Sequence, residues 1–245
     1  MNLILIILAV FPNIFLAYFI YKKDLYETEP RKLLLFSFFF GVIAVIPILI
    51  LELIFNQNFF SNIFLYSFLG IALIEEGIKF LVLRFYIYGK SDFNEPIDGI
   101  VYAVMIGLGF STIENIIYVM NNGIEVAALR MYTAVPLHAA CGVLMGYFIG
   151  LSKQYKIKDI VDQAEKSKIE VNRDSLKNKI LKIQNNSSKL YTLIGLFVAV
   201  ILHGTYNYFL LAGQWQIMTF IALLLGIYFS NKAIKKHQEN SFYKT

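Results

Sequence analysis

Two carboxylates and one ammonium interrupt an otherwise apolar run of the sequence. Glu75, Glu76 and Lys79 lie inside the segment 71–83, where every other residue except Gly77 is hydrophobic. A charged group deep in a bilayer costs from about 3 to more than about 10 kcal/mol, so it usually faces a protein interior or a water cavity and marks a functional site. Two adjacent carboxylates in a dry site also resist ionising together, which suits one of them to proton transfer. We therefore predict that this helix carries the site.

The spacing within this helix separates the two acids. Glu75 and Lys79 are four residues apart and share one helix face, whereas Glu76 is turned by about 100° around the axis. An ion pair that only locks helix packing is the structural alternative. Because two acids meet a single nearby base, we interpret the motif as functional.

Two later apolar segments repeat the same spacing of polar side chains, and the segment between them carries a histidine. Glu114 and Tyr118 form one pair, and His203 and Asn207 form another. His138 lies at the head of a stripe of glycines, which permits the close approach of a second helix. Each pair alone is weak evidence, because this spacing is common. Their recurrence on successive helices predicts that the polar residues converge in one pocket inside a four-helix core.

These side chains can be combined into two hydrolytic mechanisms. In the first, a glutamate activates water as general base, while histidine and Asn207 donate hydrogen bonds to the oxyanion that develops at a carbonyl group. In the second, His138, His203 and one glutamate bind zinc, and the remaining glutamate is the base. The sequence has no H-E-x-x-H motif, so the zinc alternative lacks its usual signature. Both mechanisms predict the hydrolysis of an amide.

The composition identifies the chain as a membrane protein. Of its 245 residues, 58% are hydrophobic and 16% are charged, and the mean hydropathy is +0.60. A soluble domain of this length could not bury so much apolar surface. The basic residues lie in short stretches between apolar spans, which excludes a nucleic-acid partner and indicates a lipid bilayer. We predict an all-α, polytopic membrane protein, one transmembrane domain over 1–245, with about seven transmembrane helices near 3–21, 32–55, 65–88, 98–120, 131–151, 190–211 and 216–231.

Lysine and arginine are distributed asymmetrically between the two sets of predicted loops. One set carries nearly all of them, whereas the other carries only Arg130. The positive-inside rule then places the N-terminus outside the cell membrane and the C-terminus in the cytoplasm. The segment 152–189, with ten basic and five acidic residues, is a charged cytoplasmic insertion. It is either an amphipathic segment that binds the inner leaflet or a partner, or a solvated helical connector.

Under this orientation the polar residues lie at a similar depth. Glu114, His138 and His203 are on the order of 10–12 Å inside the outer boundary at 1.5 Å per residue. Glu75 joins this layer only if its helix begins near Ser67, with 56–66 as an interfacial segment. We therefore predict a pocket nearer the outside than the cytoplasm.

The order of these motifs resembles the PrsW family of bacterial intramembrane proteases. The resemblance spans about half of the chain and rests on Glu75-Glu76-x-x-Lys79, Gly-Phe-Ser-Thr-Ile-Glu114-Asn115-x-x-Tyr118, His138 and His203-x-x-x-Asn207. It implies site-1 cleavage of a single-pass anti-sigma factor near its extracytoplasmic side. It also implies that Glu75 activates water and that Glu76 supports it or binds a metal. The two histidines would be oxyanion donors or metal ligands.

The motifs are also similar to those of the type II CAAX prenyl proteases, which have E-E-x-x-x-R. Here Lys79 replaces the arginine one position earlier, and Glu114 and Tyr118 stand where those proteases have phenylalanine and histidine. This difference argues against a prenyl-protein substrate, and a CAAX-type or peptide-processing peptidase is the second hypothesis. The third is a proton-coupled transporter or a non-catalytic membrane scaffold, since intramembrane Glu, His and Lys also build proton relays. A transporter should show matching repeats, and the sequence shows none.

Overall fold

All regular structure in the described part of the chain is helical. The computed structural model describes residues 3–24, 28–166, 173–213 and 216–239, with side chains outside 154–188, 216–219 and 237–239. In chain order the helices are α1 (Leu3–Tyr21), α2 (Arg31–Ile54), α3 (Gln57–Phe60), α4 (Ile63–Leu65), α5 (Leu73–Val82), α6 (Pro96–Asn122), α7 (Ile124–Tyr132), α8 (Ala134–Lys166), α9 (Arg173–Ala212) and α10 (Gln216–Glu239). Two π-helical segments, Tyr66–Ala72 and Leu83–Ile87, adjoin the ends of α5. The all-α fold class is confirmed.

Five stretches of the described chain are long and apolar enough to cross a membrane. They are Leu3–Tyr21, Arg31–Ile54, Pro96–Asn122, Ile124–Lys153 and Lys189–Ala212. The predicted span 65–88 is helical but is divided between α5 and its π segments, and the predicted span 216–231 lies within α10. The chain is therefore a multi-pass membrane protein, and a total of seven spans stays a prediction.

Helix α6 forms the centre of the fold. In the most apolar 18-residue stretch of α6, 78% of the residues are buried. The corresponding shares are 28% in α1 and 33% in α2. Large hydrophobic side chains such as Leu3, Phe11 and Leu53 stay exposed on the outer helices. Apolar surface of this extent suits contact with lipid chains rather than with water. The outer helices therefore face the bilayer, and α6 lies in the protein interior.

Small residues let α6 and α8 approach closely. A Cβ on Gly99 would collide with the backbone of Gly146, and a Cβ on Gly146 would collide with that of Gly99. Further along, a Cβ on Gly107 would lie 3.1 Å from the carbonyl oxygen of His138. The predicted glycine groove is therefore confirmed, and the helix that fills it is α6. This close packing brings the start of α8, with His138, against the middle of α6.

The segment before α5 is made of two short capped helices. The side-chain oxygens of Asn56 and Asn62 each accept hydrogen bonds from two backbone N–H groups at the starts of α3 and α4. The helical run then begins at Ile63, a few residues before the predicted start near Ser67. A π-helical turn adds one residue and rotates the face of the helix that follows, and such turns are frequent at functional sites.

The face of α5 that is buried is its polar face. Glu75, Glu76 and Lys79 are the buried residues of this helix, whereas Leu73 and Leu81 are 42% and 44% exposed. This is the reverse of an amphipathic helix in a soluble protein. In a bilayer it turns the charged groups away from lipid and into the protein.

An acidic cluster fastens the loop after α1 to the start of α6. Carboxylate oxygens of Asp24, Glu29 and Asp98 lie within 4.8 Å of one another, and the Tyr102 hydroxyl donates a hydrogen bond to Glu29. Burial, followed by hydrogen bonding and repulsion from Asp98, raises the pKa of Glu29 from 4.5 to about 10. The folded state therefore holds a proton that the unfolded state releases above about pH 4.5. Its contribution to stability is complete below that pH and is lost as the pH rises towards about 10.

The predicted insertion 152–189 continues the helices on either side of it. Helix α8 extends to Lys166 and α9 begins at Arg173. The side chains of 154–188 lie outside the described part of the chain. A role for this segment at the membrane surface, and the organisation as a single domain, therefore stay predictions.

Candidate active site

The buried face of α5 holds a compact group of charges. Lys79 Nζ lies 2.9 Å from Glu75 Oε2 and 2.9 Å from Glu76 Oε1. It also lies 3.3 Å from His138 Nδ1 on α8 and 4.0 Å from the centre of the Phe110 ring on α6. The expected contact of Lys79 with Glu75 is present, and the ammonium reaches the second acid as well. One cation therefore partly neutralises two carboxylates in a site shielded from bulk water.

His203 joins this group from α9. Its Nδ1 lies 2.9 Å from Glu76 Oε1 and its Nε2 lies 3.9 Å from Glu75 Oε1. The rings of His203 and His138 meet edge to face, with centroids 5.2 Å apart. Because an ionised carboxylate only accepts hydrogen bonds, the proton of a neutral His203 is assigned to Nδ1. The lone pair on Nε2 then faces Glu75.

Glu114 of α6 orients His138 from the other side. Glu114 Oε2 lies 2.9 Å from His138 Nε2. Since the Lys79 ammonium donates to Nδ1 of His138, the proton of the neutral imidazole is assigned to Nε2 and is donated to Glu114. Each histidine is thus held by a carboxylate through one nitrogen, and its other nitrogen is directed towards the charged face of α5.

Arg130 of α7 fixes Glu114 in turn. Its guanidinium Nη2 lies 2.8 Å from Glu114 Oε2, and its Nε donates a 2.6 Å hydrogen bond to Asn115 Oδ1. The guanidinium also lies 4.2 Å from the centre of the Tyr118 ring. This explains the pair formed by Glu114 and Tyr118: both side chains contact one arginine from the neighbouring helix.

A cavity of about 360 Å³ opens beside the charged group. Its size is typical of small-ligand sites. Its wall includes Glu75, Glu114, His138, His203 and Asn207, together with Tyr118 and apolar side chains of α2, α6, α8 and α9. Glu76 and Lys79 are outside this lining and lie behind Glu75. The structure therefore brings together all the predicted site residues, six of them on the cavity wall and two behind it.

Two charged residues of the wall were missed by the sequence analysis. They are Arg130, which the sequence identifies only as a basic residue of an outer loop, and Glu52 of α2. A signal for Glu52 was present, because it is a carboxylate inside the apolar run 31–54 and charge at such a position indicates function. No local pattern could have linked Arg130 to Glu114, because the contact is made between two helices.

Four of these residues fit a metal ion by chemical type and by closeness. Ligand atoms of Glu75, Glu76, His138 and His203 all lie within 4.8 Å of one another and are buried. Carboxylate oxygen and imidazole nitrogen are both zinc ligands, and catalytic zinc sites usually take three of them. The Lys79 ammonium contacts three of these four residues, so it and a metal ion compete for the same donors.

Fold and site together define a class of protein: a multi-pass membrane protein with a buried carboxylate and histidine centre that opens on an internal cavity. A family profile described as "PrsW family intramembrane metalloprotease" matches residues 29–168. The chain belongs to this family and is an intramembrane protease. The resemblance seen in the sequence is confirmed, and the family identifies a protease rather than a transporter or a scaffold.

Similar proteins from three bacteria carry the name Protease PrsW. The one from Geobacillus kaustophilus is 39% identical over 150 residues, which are 61% of this chain and 67% of the relative. The one from Oceanobacillus iheyensis is 41% identical over 153 residues, 61% of this chain and 71% of the relative. The one from Clostridioides difficile is 29% identical over 251 residues, 98% of this chain and 94% of the relative. No solved structure matches the chain.

Proposed function

We propose that the chain cleaves a peptide bond of a single-pass membrane protein near its extracytoplasmic side, with an anti-sigma factor as the substrate. The observation that carries this proposal is the shared cavity wall of Glu75, His138, His203 and Asn207. The substrate class comes from the family resemblance. The outer position follows from the positive-inside pattern, with the N-terminus outside and the C-terminus in the cytoplasm.

Glu75 is the candidate general base. It is the acid of α5 that reaches the cavity, with one oxygen 2.9 Å from Lys79 and the other 3.9 Å from His203 Nε2. A water molecule in the cavity would give its proton to Glu75 while its oxygen attacks the substrate carbonyl carbon. The same proton would then pass to the departing amine. Glu76 supports this step from behind by holding Lys79 and His203 in place.

Asn207 and His203 are the candidate oxyanion donors. The side chain of Asn207 lines the cavity and supplies an amide N–H that needs no change of protonation state. His203 becomes a second donor when both ring nitrogens are protonated. Donors that are fixed before the reaction stabilise the developing oxyanion without reorganisation.

As the alternative to oxyanion donation by His203, we propose that the site holds zinc, through Glu76, His138 and His203 with Glu75 beside them. When bound, zinc supplies a water of lowered pKa and polarises the substrate carbonyl. The carboxylates of Glu114 and Glu76 hold the two histidines by their other nitrogens, a pattern common to zinc-binding histidines. A chelator should therefore abolish activity, and added zinc should restore it.

Co-expression with a tagged single-pass anti-sigma factor from the same genome tests the proposal. Wild type, Glu75→Gln and Glu125→Gln are compared, with membrane levels of each protein checked by blot. Glu125 is an exposed carboxylate on α7, outside the cavity wall, and is the matched control. We expect a truncated product with wild type and with the control, and none with Glu75→Gln at equal abundance.

Each part of the proposal can fail separately in this experiment. A product that persists in Glu75→Gln shows that Glu75 is not the base. Cleavage of peptide substrates but of no anti-sigma factor favours the CAAX-type or peptide-processing alternative. Activity that survives chelation contradicts the zinc proposal and favours catalysis by glutamate alone.

A further inference from the structure

One carboxylate on the cavity wall has no ionic partner. Glu75 is paired with Lys79, and Glu114 is paired with Arg130. Glu52 makes no hydrogen bond or ion pair with any side chain that the structure describes, although it lines the same cavity. It is half-buried on α2. A carboxylate that is partly removed from water and lacks a partner is costly, so this position favours the binding of a cation.

Glu52 lies at one end of the α2 part of the cavity wall. Val45, Leu49 and Glu52 line the wall as one stripe of α2, at spacings of four and three residues. Val45 is 5% exposed and Leu49 is 41% exposed, so the stripe becomes less buried in the direction of Glu52. Glu52 lies beyond Leu49, about 10 Å of helical rise from Val45. Glu52 therefore continues the α2 part of the wall away from its most buried residue, Val45.

The charges around the cavity do not balance. With neutral histidines the site has two permanent cations, Lys79 and Arg130, and four carboxyl groups, namely Glu52, Glu75, Glu76 and Glu114. Both cations are already engaged with acids. A positively charged group that enters the cavity would therefore find Glu52 available and the surrounding field favourable.

We propose that Glu52 determines substrate preference by binding the basic side chain of a lysine or arginine in the peptide segment that enters the cavity. The effect of this preference on cleavage rests on the proposed function. The binding preference itself can be measured without cleavage of the peptide. Glu52 is not among the four residues whose ligand atoms cluster within 4.8 Å, which favours an organic cation over a metal at this position. Lysine and arginine both offer charge-assisted hydrogen bonds to a carboxylate.

Peptide binding to the full-length protein in lipid nanodiscs tests the proposal. The probes are fluorescent single-span peptides that carry Lys, Gln or Glu at one position of the segment next to the span, with that position moved stepwise along the segment. Wild type, Glu52→Gln, Glu52→Lys and the control Glu125→Gln are compared. Binding and cleavage are measured separately for each combination of protein variant and peptide.

For one of the tested positions in the peptide, we expect wild type and the control to bind the Lys peptide roughly tenfold more tightly than the Gln peptide. Glu52→Gln should bind the two equally, and Glu52→Lys should prefer the Glu peptide, as expected for a direct charge contact. If Glu52→Lys does not fold, the comparison with Glu52→Gln, which keeps shape and removes charge, decides the question.

The proposal is overturned if wild type shows no preference at any position, or if the preference persists in Glu52→Gln. The second result would assign the preference to another acid. Binding that shows the expected preference without cleavage supports the role of Glu52 and counts only against proteolysis of these peptides. The two proposals can therefore fail independently.

Discussion

Replacing Lys79 by methionine should destabilise the protein markedly. Methionine is similar in length and carries no charge, so the change removes the ammonium and leaves most of the volume. It leaves Glu75 and Glu76 adjacent to each other at 3% and 1% exposure. It also removes the donor to His138 Nδ1.

The size of the effect follows from the contacts. The ammonium makes two charge-assisted contacts of 2.9 Å. Removing one partner of a buried ion pair costs about 3–5 kcal/mol, because the remaining charge keeps its loss of hydration without compensation. The two carboxylates can share one proton afterwards, so the losses should not add in full. At about 2–4 °C per kcal/mol, the melting temperature should fall by on the order of 10 °C.

The single cysteine provides the assay. Cys141 is fully buried, so a thiol-reactive fluorogenic dye reports unfolding of the protein in detergent. Lys90→Met, at an exposed lysine in the loop before α6, is the matched control and should melt like wild type. The double variant with Lys79→Met and Glu76→Gln should recover part of the loss, because one uncompensated charge is removed.

A Lys79→Met protein that melts within about 2 °C of wild type would refute this reasoning. So would a double variant that is no more stable than the single one. Zinc gives a second comparison, because removing the competing ammonium should strengthen its binding. The rise in melting temperature with added zinc should then be larger for Lys79→Met than for wild type.

Four further substitutions address other parts of the structure. Arg130→Gln should lower the cleavage rate by roughly tenfold to a hundredfold, because Glu114 loses the ion pair that positions it; single-turnover kinetics measure this, and an unchanged rate contradicts it. Glu29→Gln should weaken the fall in melting temperature as the pH rises from about 5 to about 10, because in wild type the folded state holds the Glu29 proton in that range and the unfolded state does not; identical pH profiles contradict this. Gly146→Ala should cost more than about 2 kcal/mol of folding stability, because its Cβ would meet backbone atoms of α6. Gly77→Ala, with no atom within 4 Å of the added Cβ, should stabilise by up to about 1 kcal/mol; equal melting temperatures of the two alanine variants would contradict the packing argument.

The class of protein and the helix that carries the site could be read from the sequence alone. Apolar length identifies membrane helices because the bilayer requires it, and the cost of intramembrane charge singles out Glu75, Glu76 and Lys79. The contact of Glu75 with Lys79 was also predictable, because helical spacing is a local property. The cost of intramembrane charge also singles out Glu52 from the sequence alone.

Only the tertiary structure decided which residues meet across helices. Lys79 and His138 are 59 residues apart in the chain, and Glu76 and His203 are 127 apart. Their contacts depend on the crossing of α6 and α8 at glycines and on the rotation of α5 beside its π segments. The same packing brings Arg130 to Glu114 and places Glu52 on the cavity wall. Periodicity fixes the face of one helix on which a residue lies, but the partner on another helix is determined by how the helices pack.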